Sequence, residues 1–349
     1  MLCFFESAKK MTQKFELYAR FFVLLHCCAN VGRQHFNILL MINRELIRLK
    51  IVQLVYAYYQ NNGKTIDVAE KELRFSLTKA YDLYNFLLQL MVETRHYAIR
   101  ICEAKQQRAE RLNKENTDWI DRKIVNNRLL KQLDENKQLQ ENISKAKLSW
   151  VEQESFIKKL YNTILDSETF EHYMKLDAPT YADDKEMVRR LYKTLVVNNE
   201  EIDGILEEIS LYWNDDKQIV DSFVMKTIKR FTEESDENQP LLPEYDSEDD
   251  CRFAITLFRR TLENADEYRE LIKNNTKNWE FNRLTLMDVI IMQIALAEII
   301  NFPTIPLNVS FNEYLDIAKV YSTPKSASYI NGMLDNIVKK LKAANKILK

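Results

Sequence analysis

The sequence predicts an all-α fold built from long helices. Its 349 residues include only four glycines and six prolines, while hydrophobic residues make up 46%. So few turn-forming residues argue against sandwiches, barrels and doubly wound sheets, which need many tight turns. The length allows two or three domains, and the apolar content is sufficient for a folded core.

Helical spacing of apolar residues begins clearly at "NRELIRLKIVQLVYAYYQ", residues 43–60. Gly63 follows where a glycine commonly ends a helix. A second helix is predicted from about residue 66 to 111. The Asn-, Gln- and Lys-rich stretch at 112–148 is predicted to be a solvated helical hairpin, because its Leu and Ile residues keep no seven-residue period.

The net charge of −2 hides a strong local asymmetry. Residues 233–250 carry only acidic charges together with two prolines, which predicts a linker or a long loop. A compact helical block is predicted after it, at 251–349, and the last turns of that block are purely basic.

An internal similarity links two helical segments. Residues 191–213 align without gaps on residues 257–279 and place Trp213 against Trp279. Two explanations stay open, a duplicated helical hairpin or a chance match between amphipathic helices of similar length.

The N-terminal region leaves two interpretations open. Residues 1–40 are extraneous upstream sequence and Met41 is the biological start, or they form an ordinary N-terminal helix. The apolar run "FFVLLHCCANV" is too short to span a bilayer, so no membrane role is expected. Five cysteines without a CxxC pair predict reduced thiols and a cytoplasmic location.

No sequence motif supports catalysis. "NGKT" at 62–65 ends like a phosphate-binding loop, but Tyr58 stands where that loop needs its first glycine. The four histidines show no metal-ligand spacing, and so few glycines cannot build a dinucleotide loop. We therefore expect no enzyme activity, no metal and no cofactor.

Two regions indicate binding instead. In the first helix, Arg44, Arg48 and Lys50 lie near Tyr56, a combination that pairs with phosphates and stacks on unpaired bases. The alternative is a solvated helix edge beside core tyrosines. In the second region, "STPKSASYINGMLD" predicts a helix with Thr323 as N-cap and Pro324 at its first position, and Lys325 and Tyr329 lie near the anion-binding end.

Two further motifs of the C-terminal block predict local structure. "SFNEYLDIAKVYS" predicts a capping box between Ser310 and Glu313 and a hydrophobic contact between Val309 and Tyr314. Gly332 lies inside the last predicted helix, where glycine costs about 1 kcal/mol relative to Ala. We expect its missing side chain to let another helix pack closely there.

The ordered motifs "NW", "RLTLMDVIIMQIALAEI", "FPTIPLNVSFNEYLDIAKVYS" and "YINGMLD" resemble the bacterial transcription antitermination family NusB. Residues 43–60 also resemble the first helix of that family. The resemblance implies a NusB-like helical bundle of two subdomains, without catalysis. It further implies binding of boxA-type RNA from ribosomal RNA leaders together with the small-subunit ribosomal protein that acts as NusE, within the RNA polymerase antitermination complex. Some family members form homodimers.

The resemblance also implies roles for individual residues. It assigns RNA contacts to Arg44, Arg48, Tyr56 and Tyr329, with the partner surface as the alternative for Tyr56. Lys325 stands where the family often has an acidic residue and returns a positive charge to the RNA face. Lys50 is added to the predicted RNA contacts from the basic pattern of the first helix. Partner contact falls on Asp288, and also on Glu298, although Glu298 is more simply explained as orienting helices. The structural motif residues are Asn312, Glu313, Asn331 and Gly332. Met292 and Gln293 replace the usual Leu-Arg of the family and remove a cation.

The predicted organisation has five parts: an extraneous extension at 1–40, N-terminal NusB-like helices at 41–100, an inserted helical region at 101–232, an acidic linker at 233–250 and a C-terminal NusB-like domain at 251–349. The family's N-terminus coincides with Met41, which favours the extraneous-extension interpretation of 1–40. Two other functions remain as alternatives, a helical protein-binding scaffold without RNA activity and a NusB-like accessory domain of the kind fused to ribosomal RNA methyltransferases.

Overall fold

The computed structural model describes residues 43–61, 64–112, 120–244, 248–276, 284–323 and 325–347. All regular secondary structure within these ranges is helical, so the all-α prediction is confirmed. The described residues divide into two compact units, one ending at Arg259 and the other beginning at Arg260. We call them the N-terminal unit and the C-terminal unit. Residues 1–40 and Gly63 lie outside the described ranges, so the predictions made for them stay predictions.

The N-terminal unit contains ten complete helices and most of an eleventh within its described residues. They are α1 (Arg44–Gln60), α2 (Ile66–Arg111), α3 (Ile120–Val125), α4 (Arg128–Glu135), α5 (Lys137–Ala146), α6 (Glu154–Leu165), α7 (Glu168–Met174), α8 (Tyr181–Leu191), α9 (Glu200–Ile209), α10 (Lys217–Arg230) and α11 (Glu248–Glu263). A π-helical turn (Tyr192–Val196) continues α8, and short 3₁₀ turns lie at Val151–Gln153 and Leu211–Trp213.

The 46-residue helix α2 organises the N-terminal unit. It packs against α1, α3, α4, α5, α6 and α10. Two tryptophans attach later segments to it: the Trp150 ring stacks on Phe86 at 4.1 Å between centroids, and Trp213 Nε1 donates to the Lys79 carbonyl at 2.7 Å. Burial of these large aromatic side chains provides a hydrophobic core along α2.

The polar stretch at 112–148 differs from the predicted solvated hairpin. Its described part forms α3, α4 and α5, and these helices bury four leucines, Leu129, Leu130, Leu133 and Leu139. Asn127 and Asn136 cap α4 and α5 with their side-chain oxygens, which explains the many asparagines in this stretch. The three helices pack on α2 and form part of the core.

The acidic segment is packed rather than free over residues 233–244. Leu241 and Leu242 are buried, and Leu242 accepts from the Tyr81 hydroxyl at 3.2 Å and donates to the Tyr84 hydroxyl at 3.3 Å. Over these residues the segment is a packed long loop, the second of its two predicted forms, and not a free linker. The helix that follows begins at Glu248 instead of residue 251, and the boundary between the two units falls inside it.

The described residues of the C-terminal unit contain the end of α11 and four further helices, α12 (Ala265–Lys273), α13 (Leu286–Asn301), α14 (Leu307–Tyr321) and α15 (Ser326–Ala343). Helix α13 is central, since every residue from 288 to 299 is buried. The other three helices pack around it. A capping box starts α13: Thr285 Oγ1 accepts from the Asp288 amide, and the Asp288 carboxyl accepts from the Thr285 amide.

The starts of α14 and α15 differ from the prediction. Helix α14 begins at Leu307 after Pro306, one turn before the predicted cap, so Ser310 lies inside the helix and forms no capping box with Glu313. The predicted contact of Val309 with Tyr314 is replaced by a hydrogen bond of the Tyr314 hydroxyl to Glu298. Helix α15 begins at Ser326, whose amide donates to the Thr323 carbonyl at 2.9 Å.

The close-packing explanation for Gly332 is wrong. Gly332 is exposed on α15, and a Cβ atom built on it would meet no heavy atom within 4 Å. The neighbouring Asn331 is exposed as well. Within the described chain, no residue packs into the space that a Cβ atom at position 332 would occupy.

Candidate nucleic-acid interface

Helix α1 carries three of the predicted RNA contacts, and the structure places them in different surroundings. Lys50 is buried: its Nζ atom lies 2.7 Å from Asp216 Oδ2 and donates to the Tyr212 carbonyl at 2.8 Å. Burial raises the pKa of Asp216 to about 6, while the Lys50 charge acts in the opposite direction. Lys50 has an internal partner and no access to solvent, so its assignment to RNA is wrong.

Arg48 is only 2% exposed. Its guanidinium lies 5.5 Å from the Phe253 ring centroid, on α11. A guanidinium over an aromatic face is attracted by the ring electrons, and more strongly when water is excluded. Arg48 therefore belongs to the contact between α1 and α11 and cannot meet RNA in this structure.

Arg44 is the accessible cation of this group. Its side chain is 43% exposed, its Nε atom lies 3.1 Å from Asp250 Oδ1, and its guanidinium lies 4.8 Å from the same Phe253 ring. Tyr56, further along α1, is half-buried. The sequence did not single out Asp250 or Phe253, because neither belongs to a motif and both lie about 200 residues from α1.

The C-terminal unit presents its predicted RNA residues at the start of α15. Lys325 is exposed and Tyr329 is half-buried in the first turns of this helix. Ser326 is buried and bonds to both Ser322 and Thr323 through its hydroxyl group, at 3.0 and 2.8 Å. This hydroxyl cluster holds the connection between α14 and α15, from which Lys325 and Tyr329 extend.

The two residues assigned to the partner have internal roles. Asp288 is buried; besides capping α13, it accepts from the Ser322 hydroxyl at 2.6 Å. Glu298 is fully buried and accepts from Ser310 Oγ at 2.7 Å and from the Tyr314 hydroxyl at 2.9 Å. Glu298 joins α13 to α14, and Asp288 joins α13 to the turn that follows α14. Their assignment to partner binding is wrong, and the helix-orienting explanation of Glu298 fits its contacts.

Three exposed residues form a row along α15 that the sequence motifs did not indicate as one surface. Lys325, Gly332 and Lys339 are spaced by seven residues, which places them on one helical face. Lys339 is paired with Asp335 at 2.6 Å but remains largely exposed. Lys342 is also exposed near the end of the helix, while Lys340 bonds to Asn275. This spacing is recognisable in the sequence, because seven residues make about two turns of an α-helix and so place side chains on the same face.

Within the described residues, no helix is both long enough and apolar enough to cross a membrane. The fold and this face define an all-helical protein that carries a basic, aromatic-containing helix surface in its C-terminal unit.

The comparisons with known proteins agree with this class. The family model described as "NusB family" matches residues 218–339, from α10 into α15. The chain belongs to the NusB family, which confirms the resemblance, and an N-terminal extension precedes the matched residues. Helix α1 lies outside the match, so its equivalence to the family's first helix stays a prediction.

Curated relatives are proteins named transcription antitermination protein NusB. The chain is 40% identical over 86 residues to that of Salinibacter ruber, covering 25% of this chain and 54% of the relative. It is 39% identical over 93 residues to that of Natranaerobius thermophilus, covering 27% and 67%. For Bacillus licheniformis the identity is 35% over 100 residues, covering 29% and 78%. The chain thus spans between about half and three quarters of these relatives, and no solved structure matches it.

Proposed function

We propose that this protein is an RNA-binding transcription antitermination factor. It binds boxA-type ribosomal RNA leader sequence together with the small-subunit ribosomal protein acting as NusE, and it joins the RNA polymerase antitermination complex in the cytoplasm. It acts as an adaptor, without catalysis. The family match and the names of the relatives support this proposal.

The observation that carries the proposal is the start of α15, which lies inside the residues matched by the family. Lys325 is exposed there, and Tyr329, one turn further along, is half-buried with its hydroxyl oxygen buried. A lysine neutralises an RNA phosphate and releases counterions, whereas a tyrosine ring stacks on an unpaired base. The positive end of the α15 dipole favours the same anion.

In the N-terminal unit the proposal rests on Arg44 alone among the α1 cations, because Arg48 and Lys50 are buried. The Asp250 partner of Arg44 is the competitor that a phosphate would have to displace. Asp250 is buried, only 7% exposed, so a phosphate that took Arg44 from it would leave a buried carboxylate without its cation. A phosphate therefore competes with this pair for the Arg44 guanidinium. The ribosomal protein must be contacted by residues other than Asp288 and Glu298.

The test is a titration of labelled boxA-type RNA, with and without the ribosomal protein, across several salt concentrations. We expect affinity to fall linearly with the logarithm of salt. Tyr329→Ala should weaken binding by about 1–3 kcal/mol, the usual contribution of one stacked base. Lys325→Glu should weaken binding and reduce the salt dependence.

The matched control is Lys71→Glu, which reverses an exposed lysine on α2 that is not among the proposed contacts. It should leave RNA affinity close to that of the parent. Absence of RNA affinity at low salt, both with and without the ribosomal protein, would exclude the proposed function.

Exposed apolar side chains favour a second function for the N-terminal unit, protein binding. Leu211 is 82% exposed and Val151 77% exposed, and Phe75, in contact with Tyr212, is about half exposed. Contiguous exposed apolar surface occurs at protein interaction sites, and Leu211 adjoins the Phe75–Tyr212 pair along the chain. If the N-terminal unit binds the ribosomal protein, Leu211→Asp should weaken that association in calorimetry while RNA binding alone stays unchanged. An unchanged association would exclude this surface.

A further inference from the structure

Gly332 occupies a position that the fold itself does not explain. It lies in the middle of the 18-residue helix α15, where alanine has the higher helix propensity. A Cβ atom at this position would meet nothing within 4 Å, so alanine would fit without any rearrangement. Contacts within the described chain therefore do not require a glycine at position 332.

The surroundings of Gly332 indicate what approaches from outside. Tyr329 lies one turn before it and Asn336 one turn after it on the same face. Lys325 and Lys339 lie two turns away on either side, about 21 Å apart along the helix axis. The face is basic at both ends, and its one acidic side chain, Asp335, is already paired with Lys339. This charge pattern is complementary to a polyanion.

We infer that Gly332 is the point where the sugar-phosphate backbone of bound single-stranded RNA crosses α15 in direct contact with the helix backbone. The inference rests on the proposed function and adds to it a positioning residue that supplies space instead of a side chain. With a bare helix backbone at 332, the strand reaches Lys325 and Lys339 with its phosphates while one base lies against the Tyr329 ring. Any side chain at 332 would hold the strand away from these groups.

Gly204 provides a matched comparison. It also lies inside a helix, α9, is exposed, and has nothing within 4 Å of its added Cβ. Its helix, however, is acidic: Glu200, Glu201 and Asp203 lie in the first turn. A polyanion would be repelled there, so Gly204 separates the helix-propensity effect of glycine from the proposed contact with RNA.

The experiment compares four full-length variants, Gly332→Ala, Gly332→Gln, Gly204→Ala and Gly204→Gln, with the parent. Both alanine variants should unfold at higher urea concentration than the parent, because each replaces an exposed helical glycine. Binding of boxA-type RNA should weaken about tenfold in Gly332→Ala and further in Gly332→Gln. Both Gly204 variants should bind like the parent.

Three results would overturn the inference, and they are distinguishable. Parent-like RNA binding by Gly332→Gln, with Tyr329→Ala still impaired, would remove the role of Gly332 and leave the proposed function intact. Weakened binding of only the ribosomal protein by Gly332→Gln would mean that a protein covers this face. A parent protein that binds no RNA would remove both proposals.

Discussion

Lys50 and Asp216 form a buried ion pair, with 2.7 Å between Nζ and Oδ2 and with side chains 2% and 0% exposed. Residues 166 positions apart in the chain are brought together here, α1 against the start of α10. Lys50, which the sequence predicted to contact RNA, therefore has a structural role. Removal of one partner from such a pair leaves an uncompensated buried charge.

Lys50→Met should therefore destabilise the protein by about 3–5 kcal/mol. The loss should depend on pH. In the parent the pKa of Asp216, about 6, lies above its unfolded value, so the stability from its protonation is fully present below about pH 4 and is lost as pH rises through about 6. Lys50 lowers this pKa, so its removal raises the pKa of Asp216 further, and the variant goes on losing stability at a pH where the parent no longer does. Urea unfolding should show a larger difference from the parent at about pH 8 than at about pH 5.

The double variant Lys50→Met with Asp216→Leu should recover much of this stability, because two apolar side chains replace the pair. Lys71→Met, at an exposed position, should change the unfolding free energy by less than about 0.5 kcal/mol. A Lys50→Met protein as stable as the parent would contradict the buried pair.

Substitution by Glu should affect stability mainly at Arg48 and RNA binding mainly at Arg44. Arg48→Glu places an acidic group in a buried site against Phe253 and should destabilise the protein by several kcal/mol, which thermal unfolding would show. Arg44→Glu, at a half-exposed position beside the buried Asp250 carboxyl, should cost less stability than Arg48→Glu and should weaken RNA binding. If Arg48→Glu folded normally with selectively weakened RNA binding, the buried location would be contradicted.

Glu298 should behave as a link between α13 and α14. Tyr314→Phe and Ser310→Ala each remove one hydrogen bond to its buried carboxyl group and should each cost about 1–3 kcal/mol. Because both bonds end on the same group, a double-mutant cycle measured by urea unfolding should show coupling. Additive losses would indicate that the two bonds act independently.

His96 should make stability pH-dependent in the alkaline range. Hydrogen bonds to the Asp134 carboxyl, 2.8 Å away, and to Glu93 raise the pKa of His96 to about 9. A raised folded pKa contributes stability that is fully present below the unfolded value near 6.5 and is lost as pH rises through about 9. The parent should lose stability relative to His96→Gln over this range, measured by urea unfolding at stepped pH.

The control for this prediction is His172→Gln, which changes an exposed histidine on α7. Its unfolding free energy should differ from that of the parent by less than about 0.5 kcal/mol. A stability difference of His96→Gln that does not change with pH would contradict the contact with Asp134.

Local sequence patterns predicted the helices better than their ends. Helical periodicity and the scarcity of glycine correctly predicted α1, α2 and the C-terminal helices. The S-x-x-E pattern at Ser310 resembled a capping box, but Pro306 starts α14 one turn earlier and turns Ser310 inward to Glu298. The capping box of the same type at Thr285 and Asp288 was not predicted, although its spacing is identical.

The sequence by itself determined the helical class, the family and the candidate residues Lys325 and Tyr329, because these follow from periodicity and ordered motifs close together in the chain. Only the tertiary structure decided that Arg48 and Lys50 are buried while Arg44 and Lys325 are exposed. The exposure of a charged side chain depends on which distant segment covers it. For α1 those segments are Tyr212–Asp216 and α11, and no local pattern in residues 43–60 indicates either.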